Sequence, residues 1–251
     1  MEPLPQSENS HSQIKTHSIL WRLILFGVLL LVALFGGWYG WAYKTTPSVL
    51  QSPTAAHYHF RLQIINDGQP VNFASEPFQT PYDKFSCSMD LPEEPIHFHD
   101  NLDQLVHIHW QGITGGMVLK NYGWNEIGGR DTILGYRFDG GFWPQAITTH
   151  GNILPQKPTQ FNYYLYTGDQ TGRQLRNWQE FLDKDLYTFF IKTVTPNTTN
   201  TPSTSMEMGT TKIKNVVGNV VLFVQDKQPT EEDIQKYFDN LIPLPESTCG
   251  G

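Results

Sequence analysis

The sequence predicts a single N-terminal transmembrane helix followed by a mostly-β (α+β) extracytoplasmic domain with antiparallel hairpins and a few short helices. The twenty residues from Leu23 to Ala42 contain no charged side chain, and a helix of that length crosses a hydrocarbon core of about 30 Å. Beyond them, short runs of β-branched and aromatic residues alternate with Gly, Pro and Asn turns, a pattern typical of strands. The chain has 251 residues, 39% of them apolar, which is enough to bury a core.

The N-terminal part of the chain divides into three predicted segments. Residues 1–18 are polar and include Pro, Ser and Gln, which predicts a disordered cytoplasmic tail. The transmembrane helix covers 19–43, with aromatic side chains at both ends as in interfacial belts. A stalk of Thr, Pro and Ser over 44–56 then leads to the extracytoplasmic domain, predicted over 57–246.

Basic residues near the helix predict its orientation. Lys15 and Arg22 precede the span, whereas only Lys44 closely follows it, so the positive-inside rule places the N-terminus in the cytoplasm. A cleaved signal peptide is the alternative, but its apolar region is normally shorter and is followed by a small-x-small cleavage site. We therefore expect a single-pass protein of the cell membrane, with the bilayer as the partner of the helix and the C-terminal domain outside.

The charge of the C-terminal part excludes some partners. After residue 44 the chain has 14 Lys and Arg against 22 Asp and Glu, which gives no basic footprint for nucleic acid or an anionic lipid surface. No protein partner is indicated.

Cys87 and Cys249 are the only cysteines, and an oxidising compartment would permit a disulfide between them. Two free thiols, or a thiolate metal ligand at Cys87, remain open.

The domain begins with a hairpin pattern. His57 to Ile65 alternates as a strand does, Asn66 to Gly68 is a turn sequence, and Pro70 to Phe73 provides the returning strand. The Pro-rich residues 74–95 are expected to form an irregular loop.

The segment from His97 to Trp110 is the centre of the prediction. It contains two His-x-His pairs on two strand-like arms, and residues two apart on a strand share a face. A hairpin centred on Asp103 would place His97 opposite His109 and His99 opposite His107. Opposed residues of an antiparallel pair also share a face, so this register would gather four imidazoles on one surface.

The remaining elements are shorter. Strands are expected over 132–138, 161–166, 186–194 and 213–224, the last interrupted at Gly218. Helices are expected over 118–122, 173–182 and from the N-cap Thr230 to the apolar residue Leu241. A Thr, Pro, Ser and Asn tract over 195–211 predicts a flexible loop.

The three His-x-His pairs between residues 57 and 109 are the candidate metal-binding motifs. Imidazole is a ligand suited to copper, zinc, iron or nickel, and two rings on one strand face lie about 7 Å apart, near enough to share ions. Histidines on strands also form hydrogen-bonded or solvated ladders without metal, and this alternative stays open. The predicted metal ligands are His57, His59, His97, His99, His107 and His109.

The order of these motifs resembles a family of uncharacterised extracytoplasmic His-rich β domains over residues 57–125. The shared features are the first His-x-His, the turn at Asp67-Gly68, Cys87 before Pro95, the motif from His97 to Asp100, and His107-Ile108. That family ends the last strand with His-x-Glu after a Ser-Gly turn, whereas this chain has His109 and a longer turn without glycine. The resemblance implies a membrane-attached or secreted domain and supplies no activity.

Two functions of different classes follow. The first is a membrane-anchored protein whose extracytoplasmic domain binds a transition metal, copper or zinc, through clustered His-x-His pairs. The second is a non-catalytic structural or interaction module of the cell envelope with no metal. Neither Gly-x-Ser-x-Gly nor a Walker or dinucleotide-binding pattern occurs, so no catalytic residues are predicted and an enzyme is the weaker hypothesis.

Overall fold

The protein forms two compact units, Met1–Thr46 and Pro47–Gly251. The structure is a computed structural model, and the residues it describes are 10–46, 51, 54–80, 95–124, 134–137, 141–146, 161–191, 211–213 and 215–247.

The first unit contains one long helix, α1, over Ser10–Thr45. Its stretch Ile19–Thr45 has 27 residues and a mean hydropathy of 2.5, which is long and apolar enough to span a membrane. The side chains of Leu23, Phe26 and Leu31 are exposed within this unit, as expected for a helix that faces lipid. The helix begins at Ser10, so the segment predicted to be a disordered tail over 1–18 overlaps its first turns.

The second unit is built on a sheet of seven strands, which confirms the β-rich prediction. Its strands are β1 Ala55–Asn66, β2 Gln69–Pro70, β3 Ile96–His97, β4 Leu105–Trp110, β7 Asn162–Gly168, β8 Arg173–Arg176 and β10 Val216–Gln225. Two separate ribbons pair β5 Leu134–Arg137 with β6 Gly141–Ala146, and β9 Thr211–Lys212 with β11 Glu246–Ser247.

The strand order is β3-β4-β1-β10-β7-β8, with β2 paired to the end of β1. The β1–β2 turn has Asp67 at φ 50 and Gly68 at φ 76, the left-handed pair that a tight type I′ hairpin needs, so the predicted turn is confirmed. Strand β1 runs antiparallel to β4 but parallel to β10. The sheet is therefore mixed, because β10 enters at its centre after a long crossover.

Short α-helices complete the second unit in the part of the chain that the structure describes. They are α2 Gly115–Asn121, α3 Trp178–Asp183, α4 Leu186–Ile191 and α5 Glu231–Asp239. The predicted helix near 118–122 is confirmed in α2, and α5 has the predicted N-cap at Thr230 with a full capping box to Asp233. The strand predicted over 186–194 is wrong for residues 186–191, because Leu186, Phe189 and Phe190 are buried at the 3–4 spacing of a helix face. Residues 192–194 lie outside the described residues.

Two other sequence predictions need correction. Residues 173–176 form strand β8 against β7, and only the second half of the predicted helix 173–182 is helical, in α3. Strand β10 continues through Gly218 without a break. The glycine serves packing here, because a Cβ atom at this position would overlap the ring of Phe190.

The two faces of the sheet have different partners. The even-numbered residues Tyr58, Phe60, Leu62 and Ile64 of β1 belong to the larger core, which also includes buried residues of α2, α3 and α4. On the opposite face, Ile65 belongs to a smaller core that includes α5. His57 and His59 are odd-numbered residues of β1 like Ile65. They therefore lie on the same face of the sheet as Ile65.

Several predicted features lie outside the described residues. They are residues 47–50, 52 and 53 of the stalk 44–56, Cys87, Cys249, His150, and the predicted loop 195–211 apart from Thr211.

Candidate metal centre

Three adjacent antiparallel strands, β3, β4 and β1, carry the six predicted histidines. Strand alternation places Ile96, Ile108 and Tyr58 in the larger core, and therefore turns His97, His107 and His59 to the other face. These three are direct neighbours across the sheet, since His107 pairs with His97 on one side and with His59 on the other. The central strand thus places one imidazole between the imidazoles of both neighbours.

The register of the β3–β4 hairpin differs from the prediction by two residues. His97 lies opposite His107, not opposite His109, and the backbone N–H of His109 donates to the carbonyl of Pro95 at 2.9 Å. Asp100, Asn101 and Gln104 have positive φ in the connecting turn. The turn is therefore longer than in the predicted hairpin, and residues such as His99 that were expected to pair across it lie in the turn region instead. A shift of two residues keeps the same face, so the clustering of the histidines does not depend on it.

All six rings lie close to one another. Ring centroids are 4.3 Å apart for His59 and His107, 4.0 Å for His99 and His107, and 5.4 Å for His97 and His107. His109 lies 4.7 Å from His57 and 4.8 Å from His97. The structure therefore brings together every histidine that the sequence analysis singled out.

The cluster is buried. His57 is the most accessible of the six at 6% exposure, and four of them are fully inaccessible. Among the residues that the structure describes, Nε2 of His57, Nε2 of His107 and both ring nitrogens of His109 have no hydrogen-bond partner. Each buried polar atom left in this state costs about 1–3 kcal/mol, and such atoms are rare in folded proteins.

Two overlapping groups have the spacing of a metal site. They are His57, His59 and His107, and His97, His99 and His107, and the ligand atoms of each group lie within 4.8 Å of one another. The Nε2 atom of His99 is 3.2 Å from Nδ1 of His107. Two nitrogens bound to one tetrahedral zinc ion at about 2.0 Å are separated by about 3.3 Å, so this distance fits one edge of such a site.

Asp100 is the outer partner of the cluster. Its Oδ2 atom lies 3.1 Å from Nδ1 of His99, and the carboxylate is 14% exposed. A carboxylate beside one ring nitrogen favours the tautomer that carries the proton there and makes the other nitrogen a better ligand. The sequence analysis did not assign this role to Asp100, although its place directly after His99 was the available signal.

Burial favours the neutral form of four of the histidines. It lowers the pKa of His57 to about 4, and burial together with the neighbouring His57 lowers the pKa of His99 to about 3. Burial also lowers the pKa of His107 and of His109 well below the usual value, with nearby histidines adding to the effect. Neutral imidazole is the form that binds metal, so these four rings are in their ligating form at neutral pH.

The next residue on the same face of β1 is Arg61. Its guanidinium donates to Oδ1 of Asn219 at 3.0 Å and to the carbonyl of Ile242 at 2.7 Å, and burial lowers its pKa. These acceptors are neutral, so they orient the guanidinium without cancelling its charge. The sequence analysis missed this neighbour, although the alternation of 57, 59 and 61 predicts the shared face.

Comparison with known proteins found no match among protein-family models, curated protein sequences or solved structures. The resemblance to extracytoplasmic His-rich β domains therefore stays a prediction from the motifs. The geometry of the histidine cluster is the main evidence for function.

Proposed function

We propose that this chain is a membrane-anchored protein whose β-rich domain binds a transition metal, copper or zinc, through His57, His59, His97, His99, His107 and His109. The observation that carries the proposal is the pair of buried histidine groups, each with its ligand atoms within 4.8 Å of one another. Buried imidazole nitrogens are costly without partners, and Nε2 of His57, Nε2 of His107 and both ring nitrogens of His109 have none among the described residues. A bound cation would give such nitrogens a partner.

The donor set favours copper or zinc. Both groups consist of histidines alone, and imidazole suits zinc, copper, iron and nickel, whereas magnesium and calcium require oxygen ligands. The 3.2 Å separation between ring nitrogens of His99 and His107 supports a small tetrahedral ion.

The first unit supports the membrane part of the proposal. Helix α1 has a stretch long and apolar enough to span a bilayer, and the distribution of Lys and Arg around it supports a cytoplasmic N-terminus. The domain then lies outside the cell membrane. Protease added to intact cells should degrade the C-terminal domain, and its survival until the membrane is permeabilised would reverse the orientation.

Calorimetry tests the metal proposal. The untagged full chain, purified in detergent and stripped with a chelator, should bind copper, zinc or nickel at neutral pH. His99→Ala combined with His107→Ala should abolish most of this uptake, because it removes the two ring nitrogens that are 3.2 Å apart. The matched control is His11→Ala combined with His150→Ala, which removes two histidines that are not among the six predicted ligands and should bind as the wild type does.

The ring geometry favours one alternative function, a structural or interaction module of the cell envelope without metal. His57 and His109 stack at an interplanar angle of 18°, and His97 and His107 at 10°, as neutral aromatic rings do in a core. If the metal-free wild-type chain takes up no copper, zinc or nickel at neutral pH, this alternative replaces the metal proposal.

A further inference from the structure

Strand β4 lies at the centre of the histidine cluster, between β1 and β3. His107 belongs to both candidate groups, and it lies between His59 of β1 and His97 of β3. Its neighbour His109 is in a similar position, with its ring 4.7 Å from His57 and 4.8 Å from His97. The cluster is therefore arranged as a β1 pair, a central β4 pair and a β3 pair.

One ion cannot use this arrangement fully. A tetrahedral zinc site takes four ligands, and the six buried imidazoles exceed that number. An ion placed in the β3-side group would use His97, His99 and His107 and leave the free Nε2 of His57 without a partner. An ion on the β1 side would leave the β3 pair outside its ligand set in the same way.

The two nitrogens of His107 face different surroundings. Its Nδ1 atom lies 3.2 Å from Nε2 of His99, on the β3 side. Its Nε2 atom is buried and has no hydrogen-bond partner among the described residues, and the His59 ring meets the His107 ring edge-on at a centroid distance of 4.3 Å. Nδ1 of His107 therefore lies on the β3 side, whereas its Nε2 is available to bind a second ion.

We propose that the cluster binds two transition-metal ions, one between β1 and β4 and one between β4 and β3, with His107 bridging them. This inference rests on the proposed function, because it concerns the same histidines. Each nitrogen of His107 forms one bond to metal, so the neutral ring must lose its single N–H proton to the solvent and become an imidazolate. Ions bridged in this way lie about 6 Å apart. His109 provides a fourth ligand to one of them.

Stoichiometry of the wild type is the first test. The untagged full chain in detergent, free of metal, is titrated with Cu²⁺ at neutral pH, and the bound copper per chain is measured after desalting. We expect saturation at two ions, with release of a proton that makes the calorimetric heat depend on the ionisation enthalpy of the buffer. Saturation at one ion would overturn the two-ion inference but leave the proposed function intact, whereas no binding would overturn both.

Electron paramagnetic resonance tests the bridge without any substitution. An imidazolate between two Cu²⁺ ions couples their spins antiferromagnetically, so at low temperature the spin count at two equivalents should fall well below the copper bound. A spin count equal to the bound copper would contradict bridging by His107.

Paired variants then test each half of the site. His57→Asn with His59→Asn should lower the stoichiometry from two ions to one, and His97→Asn with His99→Asn is the matched change on the other outer strand, with the same expected result. His107→Asn should lose both ions. Retention of two ions by His107→Asn, with circular dichroism like that of the wild type, would contradict its shared role.

Discussion

Nε2 of His99 lies 3.2 Å from Nδ1 of His107, while Nδ1 of His99 faces Oδ2 of Asp100 at 3.1 Å. The negative carboxylate favours a proton on the adjacent Nδ1 of His99, and in that tautomer Nε2 of His99 accepts from Nδ1 of His107. The proton of His107 is then on Nδ1, and its Nε2 keeps a lone pair. Asp100 therefore favours one nitrogen of His107 as the one free to bind metal.

Removing the charge of Asp100 should weaken metal binding. Asp100→Asn keeps a residue that tolerates the local φ of 59, but the neutral amide removes the negative charge 3.1 Å from Nδ1 of His99. Loss of such an outer carboxylate costs about 10–100-fold in metal affinity, and calorimetric titration of the full chain should show a decrease of that order.

The control for this substitution is Asp67→Asn. Asp67 also has a positive φ, of 50, in a hairpin turn, and it is placed in the β1–β2 turn, away from the histidines. Its affinity for metal should equal that of the wild type. Equal affinities for Asp100→Asn and Asp67→Asn would show that the carboxylate does not prepare the site.

The stability of the metal-free protein should depend on pH. Burial lowers the pKa of His57 to about 4 and that of His99 to about 3 in the folded chain, whereas in the unfolded chain they titrate near 6.5. The stabilisation by the neutral rings is complete above pH 6.5 and is lost progressively as pH falls toward those folded values. Each such histidine adds up to about 1.4 kcal/mol per pH unit to the slope.

Denaturant unfolding of the metal-free full chain at pH 7.5 and 5.5 measures this slope. The free energy of unfolding should be lower at pH 5.5, and His57→Gln should reduce the difference because it removes one titrating ring. Equal stability at both pH values would mean that the histidines are not buried as described. Because burial lowers their pKa, His57 and His99 protonate in the folded chain at a lower pH than free histidine, whose pKa is near 6.5.

Gly218 should be intolerant of a side chain. A Cβ atom there would overlap the ring of Phe190, and overpacking of this kind destabilises a core by about 1–3 kcal/mol. Gly218→Ala should lower the melting temperature, and adding Phe190→Leu should restore part of the loss. Gly172→Ala is the control, because a Cβ at Gly172 has no neighbour within 4 Å. Equal melting temperatures for both glycine variants would contradict the packing of α4 on β10.

The shared face of each His-x-His pair could be predicted from the sequence, because side chains two residues apart on a strand lie on the same face. The pairing of β1 with β4, which brings the pairs together, was not predicted. His57 and His59 share a face of β1 whatever strand lies beside them, and a shift of two residues in the β3–β4 register left His97 and His107 on the same face. The hairpin turn at Asp67-Gly68 was predictable for a similar reason, since its residue types select a local backbone conformation.

Long-range contacts decided the features that could not be predicted. The parallel pairing of β1 with β10 joins residues such as Ile64 and Leu222, and no local pattern encodes that choice. Leu186 to Phe190 is rich in aromatic residues, which favours a strand by propensity, but burial on the larger core selects a helix. The role of Asp100 depends on the positive φ of its own turn, which the sequence did not specify.

X-ray absorption spectroscopy of the zinc-loaded full chain tests the central claim most directly. The six histidines are nitrogen ligands, so the first shell should contain only light atoms at about 2.0–2.1 Å, with the outer-shell scattering of several imidazole rings. A sulfur shell at about 2.3 Å, which would place a cysteine such as Cys87 on the metal, or a first shell without imidazole scattering, would contradict the proposal that this histidine cluster is the metal site.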